Sequence, residues 1–143
     1  KVGQSAAPLF LDRIDIQCEI TPVPFKDISK AAQGEPSAEI RKRVIRAREI
    51  QAERFSGQKG IHCNAQMSER MIHQYAEPDE AGISMLRMAM ERLSLSARAY
   101  NRILKVARTI ADLEGCEHVE SHHLAEAIGY RTLDRGDWAE RGI

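Results

Sequence analysis

The segment from residue 96 to residue 115 has the pattern that most restricts how this chain can fold. Its apolar side chains fall within about 120° of a helical wheel with about 3.6 residues per turn. They are Tyr100, Ile103, Leu104, Ala107, Ile110 and Ala111. Ser96 can cap the start of this helix, and Gly115 can end it. A helix with one apolar face must bury that face, so the pattern predicts a helical bundle.

Four other segments have helical periodicity and provide candidate packing partners. Helices are predicted at 37–55, 68–75, 79–94 and 121–130, separated by glycine and proline breakers. In the first of these Ser37 is the expected cap. One face of this helix is predicted to be buried, and it is lined by Ile40, Val44, Ala47, Gln51 and Phe55.

The region before residue 37 has a different period. Apolar and polar residues alternate from 14 to 20, which predicts a half-buried strand that Pro22 and Pro24 end. No second strand is evident, so its pairing partners are expected outside this sequence, unless it is an extended edge segment. The sequence starts at Lys1 without Met or an apolar leader, and we expect it to be a piece of a longer protein.

Composition excludes several classes of protein. The 143 residues are 43% hydrophobic, and 21 basic residues balance 21 acidic ones, which is unlike a disordered chain. No run of about 18 apolar residues is present, so we expect no membrane contact. Three widely spaced cysteines form no disulfide framework, and this usage favours the reducing cytoplasm. The zero net charge gives no overall attraction to nucleic acid.

The sequence contains no complete catalytic centre. A phosphate-binding loop, a dinucleotide-binding turn, a nucleophile elbow and the H-E-x-x-H zinc motif are all missing from it. Cys116, His118 and His122 only faintly match the spacing of a zinc site, and a polar loop before a helix is the favoured interpretation. We therefore predict no metal site.

The helix at 37–55 is rich in basic residues that could contact phosphates. They are Arg41, Lys42, Arg43, Arg46, Arg48 and Arg54. Glu39, Glu49 and Glu53 interrupt them, and the last two are spaced to pair along the helix. A solvated face with salt bridges is therefore favoured over a nucleic-acid surface, which stays as the alternative.

Two arginines have distinctive surroundings. Arg13 lies between Asp12 and Asp15, where composition alone favours a local ion pair. Arg98 lies in the first turn of the helix that follows Ser96, where the positive end of the helix dipole does not stabilise a cation. An anionic partner such as a phosphate is therefore a candidate for Arg98.

Three segments together resemble a known family. Residues 8–16 are similar to its "GPLLDRIDI" segment, with Phe10 in place of leucine and residues 11–16 identical. Residues 64–68 resemble "NAQLS", and residues 96–115 resemble one of its helices almost position for position. The family is that of the magnesium-chelatase-like AAA+ ATPases, and the sequences of these segments are most similar to the ComM (YifB) subfamily.

The resemblance implies a mainly α fold, the helical bundle lid of an AAA+ module preceded by one strand left over from the α/β core. It places the end of that core at 1–24, a connector and the charged helix at 25–60, the lid at 61–135 and a tail at 136–143. It further implies that Arg13 is the catalytic arginine finger and that Arg98 is the nucleotide-binding sensor 2 arginine. ATP and Mg²⁺ would be cofactors of the full-length protein, with none tightly bound to this part.

The implied partners are neighbouring subunits of a homo-oligomeric ring, commonly a hexamer, and DNA. The subfamily resembles a DNA branch-migration helicase used in natural transformation and recombination, to which this part would contribute without being catalytically competent alone. One alternative is a magnesium-chelatase-type ATPase subunit acting in porphyrin metallation. Another is a helical DNA- or protein-interaction module that works without nucleotide through the basic face at 41–54.

Overall fold

The structure is a computed structural model that describes residues 13–18, 20, 22 and 34–131. Within these residues the chain is helical, as predicted. The helices are α1 (Ser37–Arg54), α2 (Glu69–Tyr75), α3 (Glu80–Arg92), α4 (Ala97–Glu114) and α5 (Ser121–Gly129), with a 3-10 turn at Asn64–Gln66 before α2. None of the described helices is long and apolar enough to cross a bilayer.

Helix α4 lies at the centre of the bundle. It packs against α1, α2, α5 and the 3-10 turn, while α3 packs on α5. The predicted apolar face is the buried one, with Ile103, Leu104 and Ala107 shielded from solvent. The helix begins where the Ser96 hydroxyl accepts a hydrogen bond from the Ala99 amide at 3.1 Å. It ends at Gly115, whose φ of 77° is a left-handed conformation that glycine adopts without strain.

Helices α3 and α5 approach each other closely at Gly82. A Cβ atom at this position would lie 2.7 Å from Cβ of Pro78 and 2.8 Å from Cδ1 of Leu124. The Asp79 carboxylate caps α3 by accepting a hydrogen bond from the Gly82 amide at 2.8 Å. The absence of a side chain at residue 82 therefore allows α3 to pack directly on Leu124.

Helix α1 packs through only part of its apolar face, which differs from the prediction. Ala47, Gln51 and Phe55 are buried, but Ile40 and Val44 remain 43% and 38% exposed. The guanidinium of Arg46 lies beside Gly115, the residue at which α4 ends, so we attribute this exposure to the lack of an α4 partner for the part of α1 that precedes Arg46. The predicted cap is also wrong, because Pro36 occupies the N-cap position and Ser37 is the first helical residue.

The predicted strand over 14–20 is not formed in the residues that the structure describes. Within 13–18, 20 and 22 the backbone shows no strand, and Ile16 and Ile20 are 52% and 91% exposed. A strand needs a ladder of backbone partners, whereas among the described residues of this segment the backbone-to-backbone bond to the rest of the chain is that from the Gln17 amide to the Tyr130 carbonyl at 2.9 Å. Residues 25–33 of the predicted connector and the predicted tail at 136–143 lie outside the described residues.

Candidate functional site

An open groove runs along the polar face of α4, opposite its apolar face. It has a volume of about 580 Å³. One wall is a row of side chains on α4, comprising Arg98, Asn101, Arg102, Lys105 and Thr109. The other walls include Asp15 and Ile16 of the N-terminal segment and Tyr130 after α5. Helical periodicity thus places three cationic side chains in one line facing this groove.

Arg98 stands at the N-terminal end of the groove with its side chain exposed. Among the described residues it has no hydrogen-bond or ion-pair partner. The Ala99 amide of the same turn is already capped by Ser96. The Arg98 guanidinium thus lies at the positive N-terminal end of α4 and faces the open groove.

Arg13 is exposed, and of the two carboxylates that composition favoured as its partner only Asp15 lies within the described residues. Its near neighbour Asp15 pairs instead with Arg102 on α4, through Nη1 and Oδ1 at 2.6 Å. The same Nη1 donates a hydrogen bond to the backbone carbonyl of Arg13 at 2.9 Å. Asp12, the other carboxylate considered, lies outside the described residues. The Arg13 side chain therefore projects from a backbone that α4 holds.

Two further contacts hold the segment at 13–18 against the bundle. The buried Arg131 donates from Nη1 to the Ile14 carbonyl at 3.1 Å, and the Gln17 amide donates to the Tyr130 carbonyl. With the two Arg102 contacts, they attach four residues of the segment to α4 and to the residues that follow α5. Arg102 and Arg131 were not identified by sequence reasoning, because their partners are more than 80 residues away.

The far end of the groove is continuous with a buried polar cluster. Lys105 Nζ donates to the Ala65 carbonyl at 2.9 Å, and Thr109 Oγ1 accepts from Asn64 Nδ2 at 3.1 Å. Asn64 also donates from Nδ2 to Asp112 at 2.8 Å. The segment at 64–68, which only its resemblance to the family had singled out, thus connects the groove to the buried polar cluster.

Asp112 is the centre of that cluster and is almost fully buried. Arg54 donates to its two carboxylate oxygens at 2.8 and 2.5 Å, and Arg108 Nε donates at 3.1 Å. Arg108 is also held by the carbonyls of Cys116 and Glu117. Burial lowers the pKa of the Arg108 guanidinium, and the charge of Asp112 opposes that shift. Because each group is paired, we interpret the cluster as structural.

Arg54 therefore does not belong to the basic surface that the sequence suggested. The remaining basic residues of α1 are exposed. Lys42 pairs with Glu39 at 2.7 Å, and Arg43 forms a two-point ion pair with Glu35. These ion pairs support the predicted solvated face, although they use Glu35 and Glu39 instead of Glu49 and Glu53.

A second polar cluster joins the end of α4 to the start of α5. Glu114 Oε2 lies 2.9 Å from Nε2 of His122 and 2.8 Å from Nε2 of His123, and Cys116 Sγ is 3.8 Å away. The hydrogen bonds from His122, then His123, lower the pKa of Glu114, and the contact with Glu114 raises the pKa of His122. Sequence reasoning had considered Cys116 and His122 but had missed Glu114.

Glu114, Cys116 and His123 are close enough for their ligand atoms to approach one metal ion. The hydrogen bonds favour another role. The Glu120 amide donates to Nδ1 of His123 at 2.9 Å, so the ring proton is on Nε2, the atom that would have to bind the metal. Burial, then the charge of Glu114, also raises the pKa of the Cys116 thiol, which disfavours the thiolate that metals bind. We interpret the cluster as a link between two helices.

Comparison with known proteins matches residues 34–131 to the family model of the magnesium chelatase subunit ChlI C-terminal domain. The competence protein ComM of Haemophilus influenzae is 41% identical over 127 residues, which are 88% of this chain and 24% of that protein. YifB of Salmonella typhimurium and YifB of Escherichia coli are 42% and 39% identical with the same coverage. The chain thus spans about a quarter of the length of these relatives.

Proposed function

Since this chain belongs to the family of the magnesium chelatase ChlI C-terminal domain, we propose that it is the helical lid of a ring-forming AAA+ ATPase. Arg98 contacts the phosphates of the nucleotide bound in its own subunit, and Arg13 reaches the nucleotide of a neighbouring subunit. ATP and Mg²⁺ are bound by the full-length protein, with the phosphate loop supplied by its other parts. The lid is not catalytically competent alone.

The position of Arg98 is the observation that most supports this proposal. A guanidinium at the N-terminal end of α4 is disfavoured by the helix dipole unless an anion is nearby. Arg98 faces a groove of about 580 Å³ that also contains Asn101 and Lys105. A phosphate group bound there would be stabilised by the guanidinium and by the helix terminus together.

The exposure of Arg13 supports a role between subunits. Its backbone is held by Arg102, whereas its side chain is directed to solvent, where an adjacent subunit of a ring can lie. A guanidinium supplied in this way stabilises the charge on the transferred phosphoryl group and raises turnover by about 10³- to 10⁵-fold in other phosphoryl-transfer proteins. Arg13 is therefore the proposed catalytic residue of this chain.

DNA is the substrate that we propose for the full-length protein, as a branch-migration helicase of natural transformation and recombination. Support comes from the similarity to a relative whose name denotes competence. The name of the matched family favours a second candidate, an ATPase subunit acting in porphyrin metallation. The two are distinguished by measuring whether branched DNA or protoporphyrin stimulates ATP hydrolysis by the full-length protein. Stimulation by protoporphyrin alone would favour the chelatase role.

The exposed basic residues of α1 favour a third candidate function, that of a module that binds DNA or protein without nucleotide. DNA binding by this chain alone, weakening steeply with added salt, would favour that role. Substitution of Arg41 and Arg48 by glutamine would then abolish the binding, whereas Arg98→Ala would leave it unchanged.

The role of Arg98 is tested in the full-length protein with Arg98→Ala. We expect weaker ATP binding and slower hydrolysis with an unchanged thermal midpoint, because the substitution removes a phosphate contact from an exposed position. The matched control is Arg87→Ala, which also removes an exposed arginine but from a different helix, α3. Normal nucleotide kinetics for Arg98→Ala would contradict the proposal.

The role of Arg13 is tested by mixing subunits. Arg13→Ala is expected to bind ATP normally and to hydrolyse it very slowly. Mixing it with subunits inactivated in the phosphate loop should partly restore turnover, because those subunits still supply an intact Arg13 to their neighbours. Normal turnover by Arg13→Ala, or mixed rings with no recovery, would exclude the finger role in trans.

A further inference from the structure

We propose that Arg102 is a positioning residue that sets the orientation of Arg13 and links it to the nucleotide contact of Arg98. This inference rests on the proposed function, because it assigns a role to a residue that touches neither nucleotide. It identifies α4 as the element through which the two nucleotide-facing arginines are connected.

The geometry joins Arg102 directly to the backbone of Arg13. One guanidinium nitrogen of Arg102 bonds to the Arg13 carbonyl at 2.9 Å and to the Asp15 carboxylate at 2.6 Å. These two contacts fix the peptide group that follows Arg13 and the side chain of Asp15. Because the Arg13 side chain leaves from this same backbone, its direction depends on where Arg102 holds it.

Arg102 is also tied to Arg98 through the helix that both share. They are four residues apart, so their positions are about 6 Å apart along the axis and on one face. The opposite face of this part of α4 is fixed in the core by Ala99 and Ile103, which are both fully buried. The anchored helix therefore holds Arg98 and Arg102 at a fixed distance from each other, and Arg102 in turn holds the backbone at Arg13.

The structure distinguishes this role from simple support of the fold. The Arg102–Asp15 pair is partly exposed, and such pairs contribute little to stability. The segment has other attachments, from Arg131 to the Ile14 carbonyl and from Gln17 to the Tyr130 carbonyl. Removing the Arg102 side chain should therefore release the Arg13 end of the segment while the bundle stays folded.

The test uses ATP hydrolysis by the full-length protein. Arg102→Ala is expected to lower kcat by about 10- to 100-fold, since a displacement of about 1 Å costs that much, with KM for ATP nearly unchanged. Arg102→Lys should recover part of the loss, because an ammonium group can still donate to the carbonyl and the carboxylate. Arg87→Ala is the matched control and should leave both constants unchanged.

A double substitution separates positioning from an independent effect. If Arg102 acts through Arg13, then Arg102→Ala should cause no further loss of kcat in a protein that already has Arg13→Ala. Additive losses, or a normal kcat for Arg102→Ala while Arg13→Ala is slow, would overturn the inference and leave the proposed function intact. Normal turnover by Arg13→Ala alone would remove the finger, and this inference with it.

Hydrogen exchange provides a readout that does not depend on activity. In Arg102→Ala the segment keeps fewer attachments and opens more often, so the amide of Gln17 is expected to exchange faster, while the amides in the buried part of α4 keep their protection. Loss of protection throughout α4 would show that the substitution unfolds the bundle, and a purely structural role would then replace the one proposed. Unchanged exchange at Gln17 would likewise count against a role in holding the segment.

Discussion

At the scale of single residues, the described structure depends on a few polar side chains whose partners are distant in sequence. Asp112 accepts from Arg54 on α1, from Asn64 before α2 and from Arg108 on its own helix. One carboxylate thus joins three parts of the fold. The cost of burying its charge is offset only while all of these partners are present.

Replacing Asp112 by alanine should therefore destabilise the chain strongly. Arg108 would stay buried and Arg54 largely so, without a counter-charge, and the loss of unfolding free energy is expected to be about 3–5 kcal/mol. Urea unfolding followed by circular dichroism measures it. Glu53→Ala, at an exposed position of α1, should change the free energy by less than about 0.5 kcal/mol. A comparable small loss for Asp112→Ala would contradict this account of the cluster.

The contact between His122 and Glu114 predicts a dependence of stability on pH. The pKa of His122 is raised in the folded protein, so its contribution is complete below the ordinary value of 6.5 and is lost as pH rises through the raised pKa. The pKa of Glu114 is lowered, so its contribution is present above 4.5 and is lost as pH falls through the lowered pKa. The pair therefore stabilises most between these two values.

We expect His122→Gln to lower the thermal midpoint more at about pH 5.5 than at about pH 9, where the imidazole is neutral. Glu120, 3.6 Å from the other ring nitrogen, acts in the same direction. His118→Gln is the control, because His118 is exposed and outside the cluster. Equal effects of His122→Gln at both pH values would show that the charge of the ring is unimportant.

At the scale of helices, the close packing of α3 on α5 depends on a residue without a side chain. Gly82→Ala would gain helix propensity of about 1 kcal/mol, but the added methyl group overlaps Pro78 and Leu124. Overpacking of this kind costs about 1–3 kcal/mol, so the thermal midpoint should fall. Gly129→Ala is the matched control in α5, because a Cβ atom added there would meet no atom of another part of the chain within 4 Å, and its midpoint should stay or rise. A higher midpoint for Gly82→Ala would contradict the packing.

Local pattern predicted the helices well, because periodicity and caps are properties of neighbouring residues. The predicted helix at 96–114 is observed as Ala97–Glu114, with Ser96 and Gly115 at its two ends. The burial of Ile40 and Val44 was predicted wrongly, since periodicity shows which face is apolar but not how far a packing partner extends. The strand predicted at 14–20 is likewise not formed among the described residues of that segment, because alternation does not specify a partner strand.

The candidate site was predicted in part. The sequence identified Arg98 from its position at a helix terminus, and the resemblance identified Arg13. Neither could indicate Arg102, because an ion pair across 87 residues has no local signal. The Asp112 cluster was missed for the same reason, although Arg108 and Asp112 are spaced four residues apart on α4.

At the scale of the whole molecule, the two faces of α4 have different tasks. The apolar face organises the bundle through contacts with α1, α2 and α5. The polar face lines the groove with Arg98, which is proposed to contact nucleotide, and it holds the N-terminal segment through Arg102. A substitution on the apolar face should therefore lower stability, whereas one on the polar face should change turnover with little effect on stability.

The central position of α4 also has a consequence for the order in which the chain assembles. Helices α4 and α5 are joined by only the residues 115–120, whereas the contact of Arg54 with Asp112 closes a separation of 58 residues. Because longer closures cost more entropy, α4 and α5 should pair in the folding transition state and α1 should dock afterwards. In stopped-flow refolding, Leu124→Ala should mainly slow folding, and Gln51→Ala should mainly accelerate unfolding.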